Sequence, residues 1–307
     1  PISTGSSNAY NLVGNPYTAY LPANSAADAQ NLLDTNAAVL SELTLWLWNG
    51  STNQYDVVNQ LTDAQYLAPG QGFFVSSSAA GGGFSFPASQ QAHQSSSWFQ
   101  RQTPMYEHVV LQMHTATQNY HTDVYYLDTA TVGFDNGYDS SVLEVNAAGV
   151  SLYQAPIDNT DTRRGAIQAL PDSALQSMAV PVGVVADGGT SLHFEATAQN
   201  LPAGLQVVLE DTATQTWTVL EPGSGYDVSL SNAEQGTGRF YLHVQAESLD
   251  VAQDQLVHPY AYVVSPQHLQ VDGLTSPGQL AVYSLLGQAI SQHSLQQQTG
   301  AHRVVLP

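Results

Sequence analysis

Residues 43–50 read LTLWLWNG, a short apolar run that ends in an Asn-Gly pair. Trp46 and Trp48 would project from one face of a strand and the leucines from the other, because successive strand residues point to opposite faces. Asn-Gly is a strong signal for a tight turn between paired strands. The stretch therefore predicts a β-strand that ends in a turn.

Similar runs recur along the chain and are separated by turn strings at short intervals. This pattern is typical of antiparallel β-sandwiches. The further runs cover residues 72–75, 108–113, 124–127, 180–185, 205–209, 240–244, 260–264 and 280–285. The turn strings include Asn49-Gly50, Pro69-Gly70, Asp135-Asn136-Gly137, Pro222-Gly223 and Asp272-Gly273. We predict an all-β fold of tandem antiparallel sandwiches, Ig-like or jelly-roll-like.

Helical periodicity is scarce. Only residues 25–42 have the Ala, Leu and Gln content and the spacing of a helix, and Asn36 interrupts them. We therefore expect one short helix, in the first domain.

Two changes in composition predict domain boundaries. Residues 89–97 are rich in Ser and Gln, which is typical of a linker, and residues 246–257 separate two predicted strand groups. We expect an N-terminal β module at 1–95, a β-sandwich at 96–247 and a small β domain at 248–307. The chain begins at Pro1 without a signal-peptide pattern, so we expect a processed product or the C-terminal part of a longer protein.

The charged residues are strongly one-sided. The 307 residues include 25 acidic and five basic residues, which gives a formal net charge of -20, and they include no cysteine. Nucleic acids and anionic membranes are excluded as partners, because binding to phosphate depends on clustered Lys and Arg. Disulfides and thiolate metal sites are excluded as well. No apolar run approaches the ~18 residues of a membrane-spanning helix.

Several motifs occur in a characteristic order. The first segment contains NLVGNPY at 11–17, LWLWNG at 45–50 and LAPGQGFFV at 67–75. Together they resemble a module found near the C-termini of large proteins that Bacteroidota secrete through the type IX secretion system. The middle segment contains GFDNGYD at 133–139, ALP at 169–171, VPVG at 180–183 and RFYL at 239–242. It resembles the β-sandwich that commonly follows that module.

The last segment resembles the type IX C-terminal sorting domain. The residues that match its VYxLLGQ core are Val282, Tyr283, Leu285, Leu286, Gly287 and Gln288. The family normally continues through an AGxYxV hairpin to a basic strand, whereas this chain stops at Pro307. The resemblance implies an extracellular or cell-surface location and the type IX machinery as a partner.

The GFDNGYD loop is the best candidate for a metal site. Asp135, Asn136 and Asp139 place three oxygen side chains within five residues, and Asp123 and Asp128 lie nearby in sequence. Calcium prefers such oxygen ligands, and it is the only cofactor that the sequence suggests. The alternative, which we prefer, is an Asx-type turn with solvated acids, because the EF-hand spacing and its terminal Glu are missing.

The histidines offer a second metal candidate. His108 and His114 share strand parity and His121 follows, but no HExxH motif accompanies them. Histidines on an edge or a surface are the preferred interpretation.

Two further groups are candidates for binding or assembly. Trp46 and Trp48, if exposed, would form a sugar-stacking platform or an assembly contact, although burial is expected for at least one of them. Arg163 and Arg164 form the only basic doublet, which would serve either as a docking point or as a loop salt bridge.

We predict a non-enzymatic, secreted cell-surface protein with a structural or adhesive role. The sequence has no GxSxG motif, and its candidate acids lie in modules that the resemblance marks as non-catalytic. Exposed strand edges would allow self-assembly into an oligomer or filament. Two alternatives stay open: accessory modules of a larger secreted hydrolase, and a calcium-dependent carbohydrate-binding module with a glycan partner.

Overall fold

The protein is described by a computed structural model that covers residues 1–5, 8–93, 106–143, 149–157, 162–247, 260–265, 268–272, 277–283, 288–295 and 302–305. These residues are almost entirely β-structure, which confirms the predicted all-β class. The chain forms two compact units, Pro1–Glu247 and Ser248–Pro307. The predicted boundary near residue 95 lies outside the described residues, and the three-part division stays a prediction. Among the described residues, no helix has the length and apolar character to cross a membrane.

Residues 1–93, which we call the N-terminal part, contain six strands, one α-helical turn and a 3-10 turn at Ala88–Gln90 among the described residues. The elements are β1 (Tyr10–Gly14), β2 (Leu21–Pro22), α1 (Leu32–Thr35), β3 (Leu45–Asn49), β4 (Gln54–Val58), β5 (Tyr66–Leu67) and β6 (Gly72–Ser76). The main sheet has the order β1-β6-β3-β4, and β2 pairs with β5. β3 and β4 form an antiparallel hairpin whose connection is residues 50–53, directly after the Asn49–Gln54 pair.

Asn15 connects the NLVGNPY motif to the LAPGQGFFV motif. Its amide nitrogen donates to the main-chain oxygens of Ala19, Leu67 and Ala68, and its Oδ1 accepts from the amide of Tyr17. The side chain is 3% exposed. Because a buried amide must be paired to avoid a desolvation cost, Asn15 holds the Gly-Asn-Pro exit of β1 against the turn before β6.

The predicted helix at 25–42 is shorter than expected. Only Leu32–Thr35 is helical, and Asn31 caps it by accepting from the amide of Asp34. Asn36 ends it, because its side chain donates to the oxygens of Leu32 and Ser85 and ties the chain to a distant segment. The two leucines of the turn enter the core of the N-terminal part.

Residues 106–247, which we call the sandwich, contain the other strands of the first unit. They are β7 (Glu107–His114), β8 (Asn119–Leu127), β9 (Ser140–Ser141), β10 (Ser151–Gln154), β11 (Gly165–Pro171), β12 (Val180–Ala186), β13 (Ser191–Gln199), β14 (Leu205–Asp211), β15 (Thr216–Val219), β16 (Tyr226–Ser229) and β17 (Glu234–Ala246). Their order is β15-β14-β17-β12-β10-β11-β8-β7-β13-β16, with β9 beside β11. We predicted an antiparallel sandwich, and one pair of neighbouring strands, β8 and β11, is parallel instead.

Alternation of side chains builds the core of the sandwich. Every second residue of β7, among them Val109 and Leu111, points inward, and β12 and β17 supply Val182 and Phe240 from other strands of the path. The opposite side of β7 and β8 therefore faces away from this core.

A buried polar group connects β16, one end of the strand path, to β14 and β17. Arg239 donates to both oxygens of Asp211, with Nε–Oδ1 at 2.9 Å and Nη2–Oδ2 at 2.8 Å. Tyr226 on β16 donates to Asp211 Oδ2 at 2.9 Å. Asp211 is 1% exposed, so these bonds compensate for its burial and join β14, β16 and β17.

The second unit contains five described strands. They are β18 (Tyr260–Ser265), β19 (His268–Asp272), β20 (Gly278–Tyr283), β21 (Ala289–Leu295) and β22 (His302–Val305). β18, β19 and β22 form one sheet, and β20 and β21 form a hairpin. Val271, Leu295 and Val304 are the buried residues of its small core.

Candidate functional site

The predicted calcium loop lies where the N-terminal part meets the sandwich. Asn136 accepts from the amide of Leu43 at 2.8 Å, and the oxygen of Gly137 accepts from the amide of Gln60 at 3.0 Å. Gly137 has φ of +100° and is buried near Leu43, so a side chain there would be strained and crowded. We call residues 134–141, which comprise the loop and the short strand β9, the bridging loop, because they contact both parts of the unit.

The acids of the bridging loop accept hydrogen bonds from the protein itself. Asp139 accepts from the amides of Ala169 and Asp135, and Asp135 accepts from the amide and hydroxyl of Thr131. Burial raises the pKa of Asp139 to about 7, and the bonds from Ala169 and Asp135 offset this effect only in part. The structure therefore brings Asp135 and Asp139 together in a hydrogen-bonded turn.

The other predicted ligands lie elsewhere. Asp123 pairs with His108 on the outer side of the sandwich sheet, and Asp128 is an exposed residue just after β8. Asn136 directs its oxygen to Leu43. Among the described residues, no group of three or more histidine or acidic side chains is arranged to hold a metal ion.

Further buried contacts fasten the bridging loop to the N-terminal part. Trp46 Nε1 donates to the oxygen of Ser141 at 2.8 Å, and Ser141 in turn donates through its amide and hydroxyl to Glu42. Asn59 donates to the oxygen of Tyr138 at 2.6 Å and to Ser140 Oγ at 3.0 Å. These paired polar groups specify one arrangement of the two parts, because shifting it would leave several of them buried and unpaired.

The two tryptophans of β3 have different environments. Trp46 is 0% exposed and belongs to this interface, whereas Trp48 is 55% exposed. Both point to the same side of β3. The bridging loop contacts Trp46 through Ser141, whereas Trp48, two residues further along the strand, stays exposed. The pair is therefore not one exposed platform, and Trp48 alone is accessible.

The arginine doublet also lies near the bridging loop. Arg163 stacks over Phe134, with 3.5 Å from its guanidinium carbon to the ring centroid, and its Nη1 is 3.8 Å from Glu42 Oε1. Arg164 lies over the ring of Tyr153 at 4.8 Å. These contacts match the loop salt bridge that we considered, with aromatic stacking added.

A cleft of about 1140 Å³ lies between the β3–β4 hairpin and the outer side of β7 and β8. Its exposed lining, which we call the rim, includes Trp48 and Tyr106, with Tyr55 half-buried beside them. The polar lining residues include Asn53, Gln54, Asp56, Gln60, Asp63, Gln65, Gln118, His121 and Gln199. The rim thus combines flat aromatic rings with hydrogen-bonding side chains.

The floor of the cleft is a buried histidine–carboxylate pair. His108 Nε2 lies 2.7 Å from Asp123 Oδ1, and its ring stacks on Tyr125 at 3.9 Å with an interplanar angle of 6°. Burial, together with the charges of Asp123 and Asp63, raises the pKa of the Tyr125 hydroxyl. His108 Nδ1 is buried and has no hydrogen-bond partner among the described residues.

The three predicted histidines pair with carboxylates. His114 Nε2 lies 2.9 Å from Glu195 Oε1, and His121 Nε2 lies 3.7 Å from Asp123 Oδ2. The expectation of surface or edge positions is wrong for His108, which is 6% exposed on a strand with partners on both sides. Parity alone did not show that a hairpin covers this part of β7.

The matched sorting residues are only partly described. Val282 and Tyr283 end β20, and Tyr283 is 61% exposed. Gln288 is exposed before β21. Leu285, Leu286 and Gly287 lie outside the described residues.

Sequence reasoning missed most of the cleft. Tyr55 and Tyr106 come from segments far apart in sequence, and no motif connects them. The only local signal was the Trp48 side of β3. The chain matches no protein-family model, no curated protein and no solved structure.

Proposed function

We propose that the chain is a non-enzymatic cell-surface protein with an adhesive role, exported through the type IX secretion system. In this proposal the first unit binds the target and the second unit carries the sorting signal. The observation that carries the binding role is Trp48, which is 55% exposed and lines the cleft. An exposed indole lacks the stabilisation that burial of its apolar surface would give. Exposed aromatic side chains beside a cleft are typical of binding surfaces.

The construction of the first unit supports this role. An adhesive site must keep its shape under load, and the cleft walls belong to two parts joined by the buried bonds of Trp46, Asn59 and Ser141. A cleft held in this way loses little conformational entropy when it binds a ligand.

The proposed export depends on the motif order. The motifs of all three segments stand in the order seen in type IX cargo proteins, and Val282 and Tyr283 begin the matched sorting motif. A fluorescent protein fused upstream of residues 248–307 tests this part in a type IX-competent bacterium. Failure to reach the surface, with a fused native sorting domain as positive control, would contradict it.

A bead assay tests the adhesive role. Beads coated with the full chain, with Trp48→Ala or with albumin are washed over mucin, collagen, neutral polysaccharide and bare polystyrene. We expect retention on at least one biological surface and a clear loss for Trp48→Ala. Retention equal to albumin on every surface would overturn the proposal.

Self-assembly is a second candidate function, favoured by one strand edge. β15 is the last strand of its path, and it exposes Trp217 by 53% and Val219 by 40%. An unpaired edge with exposed apolar side chains can accept a strand from another molecule. Mass photometry and electron microscopy across concentrations test this candidate, and monomers throughout would exclude it.

A further inference from the structure

We infer that the cleft binds a neutral oligosaccharide, with the Trp48 indole as the platform on which a sugar ring stacks. This inference rests on the proposed adhesive function and names the class of its ligand. The volume of the cleft, about 1140 Å³, is large for a small-molecule site, since such pockets commonly measure about 300–1,000 Å³. The cleft therefore has room for more than one sugar ring.

The platform is held in place before any ligand binds. Trp48 meets Tyr55 edge to face, with centroids 5.1 Å apart and an interplanar angle of 64°. Tyr55 in turn meets Phe74 at 5.7 Å and 83°. These contacts orient the indole while leaving 55% of Trp48 exposed. A flat, oriented and accessible ring suits the apolar C–H face of a pyranose.

The polar side chains around the platform suit hydroxyl groups. Asp63 is an exposed carboxylate in the cleft lining, so its lone pairs can accept from a ligand hydroxyl. Gln54 Nε2 donates to the oxygen of Asn119 at 2.6 Å, which ties the hairpin to the sandwich beside the rim. Amides and carboxylates together can donate to and accept from hydroxyls, whereas a purely apolar peptide would leave them unpaired.

The charges of the cleft favour a neutral ligand over an anionic one. Asp56, Asp63 and Asp123 line it, and the lining cation Arg164 lies over Tyr153. The chain as a whole carries a formal charge of -20. An anionic glycan would approach this surface against repulsion, while a neutral glycan would not. A basic peptide is the rival ligand, and salt distinguishes it, because screening weakens attraction between charges.

The test is native affinity electrophoresis followed by titration calorimetry on the full chain. The neutral probes are mixed-linkage β-glucan, xyloglucan, galactomannan and starch, and alginate is the anionic probe. We expect retardation by at least one neutral probe, none by alginate, and little change between low and high salt. Trp48→Ala should weaken binding about tenfold or more, since buried Trp contacts dominate many interfaces.

Leu12→Ala is the control, because Leu12 is a large apolar side chain that is 67% exposed on β1, outside the cleft lining. Trp48→Tyr, which keeps an aromatic ring, should retain part of the affinity, and thermal melts verify that each variant folds. Absence of binding to every neutral probe would overturn the inference, as would equal losses for Trp48→Ala and Leu12→Ala. Binding of a basic peptide that disappears at high salt, without glycan binding, would assign the cleft to the rival ligand. If beads still adhere through Trp48 while no glycan binds, the adhesive function stands and only the ligand class is wrong.

Discussion

The indole of Trp46 donates a 2.8 Å hydrogen bond to the main-chain oxygen of Ser141, across 95 positions of sequence. Trp46 is completely buried, and it also meets Tyr10 edge to face at 5.2 Å. The Trp46 side chain thus belongs to the sheet of the N-terminal part and donates a hydrogen bond to a carbonyl of the sandwich. The relationship makes Trp46 a sensitive probe of the interface that shapes the cleft.

Trp46→Phe should destabilise the first unit. The substitution keeps a ring but removes the N–H donor, so the Ser141 oxygen is left buried without that donor at a cost of about 1–3 kcal/mol. Urea unfolding of the full chain, followed by circular dichroism, measures the change. Trp48→Phe is the control and should change stability by less than about 0.5 kcal/mol, because Trp48 is largely exposed. Equal effects of the two variants would show that the indole bond contributes nothing.

Asp139 should make stability depend on pH. Its pKa is raised from 3.8 to about 7 in the folded chain, so the folded state holds a proton that the unfolded state releases. Its contribution is therefore fully present below about pH 4 and is lost as the pH rises to about 7. The difference in melting temperature between the wild type and Asp139→Asn should change over this window.

Asp128→Asn is the control for that comparison, because Asp128 is exposed. Its melting temperature should follow the wild type at every pH. A constant offset between the wild type and Asp139→Asn from pH 4 to 8 would contradict a raised pKa at Asp139.

Calcium should leave the stability of the chain unchanged. The Asp135 carboxylate already accepts from Thr131, the Asp139 carboxylate accepts from the amides of Ala169 and Asp135, and Asn136 accepts from the amide of Leu43. A bound ion at 100 times its Kd would add about 2.7 kcal/mol, which a melt detects easily. Melts with calcium and with chelator should coincide. A saturable rise in melting temperature would instead support the calcium site that the loop composition suggested.

Gly225→Ala should be strongly destabilising. A Cβ at Gly225 would overlap the carbonyl group of Phe194, which is backbone and cannot rotate away. β16 would have to move off β13, and overpacking of this kind costs about 1–3 kcal/mol or more. Gly83→Ala is the matched control, since a Cβ there meets nothing within 4 Å. Similar unfolding midpoints for the two variants would show that β16 shifts without cost.

Local sequence predicted the strands well because the signal for a strand is local. The apolar run HVVLQM at 108–113 and the turn signal at Asn49-Gly50 both lie within a few residues, and they correspond to β7 and to the end of β3. The helix at 25–42 was overestimated for the opposite reason. Asn36 ends it by bonding to Ser85, 49 positions away, and no local window contains that partner.

In the candidate site, too, the sequence predicted local features but not the contacts between distant segments. Composition alone identified Asp135, Asn136 and Asp139 as a group of oxygen donors, but the donors that occupy them come from Leu43, Thr131 and Ala169. Parity placed Trp46 and Trp48 on one face of β3. Only the covering loop at 134–141 made one of them an interface residue and left the other exposed.

The sequence by itself determined an all-β chain, its turns, and a surface chemistry without lysine, cysteine or a basic patch, because these depend on residue type and near-neighbour spacing. Tertiary structure decided which side chains became neighbours. Trp48, Tyr55 and Tyr106 line one cleft because strands from two parts of the chain pack face to face. Pairing between strands joins residues far apart in sequence, and its outcome depends on the packing of the whole unit.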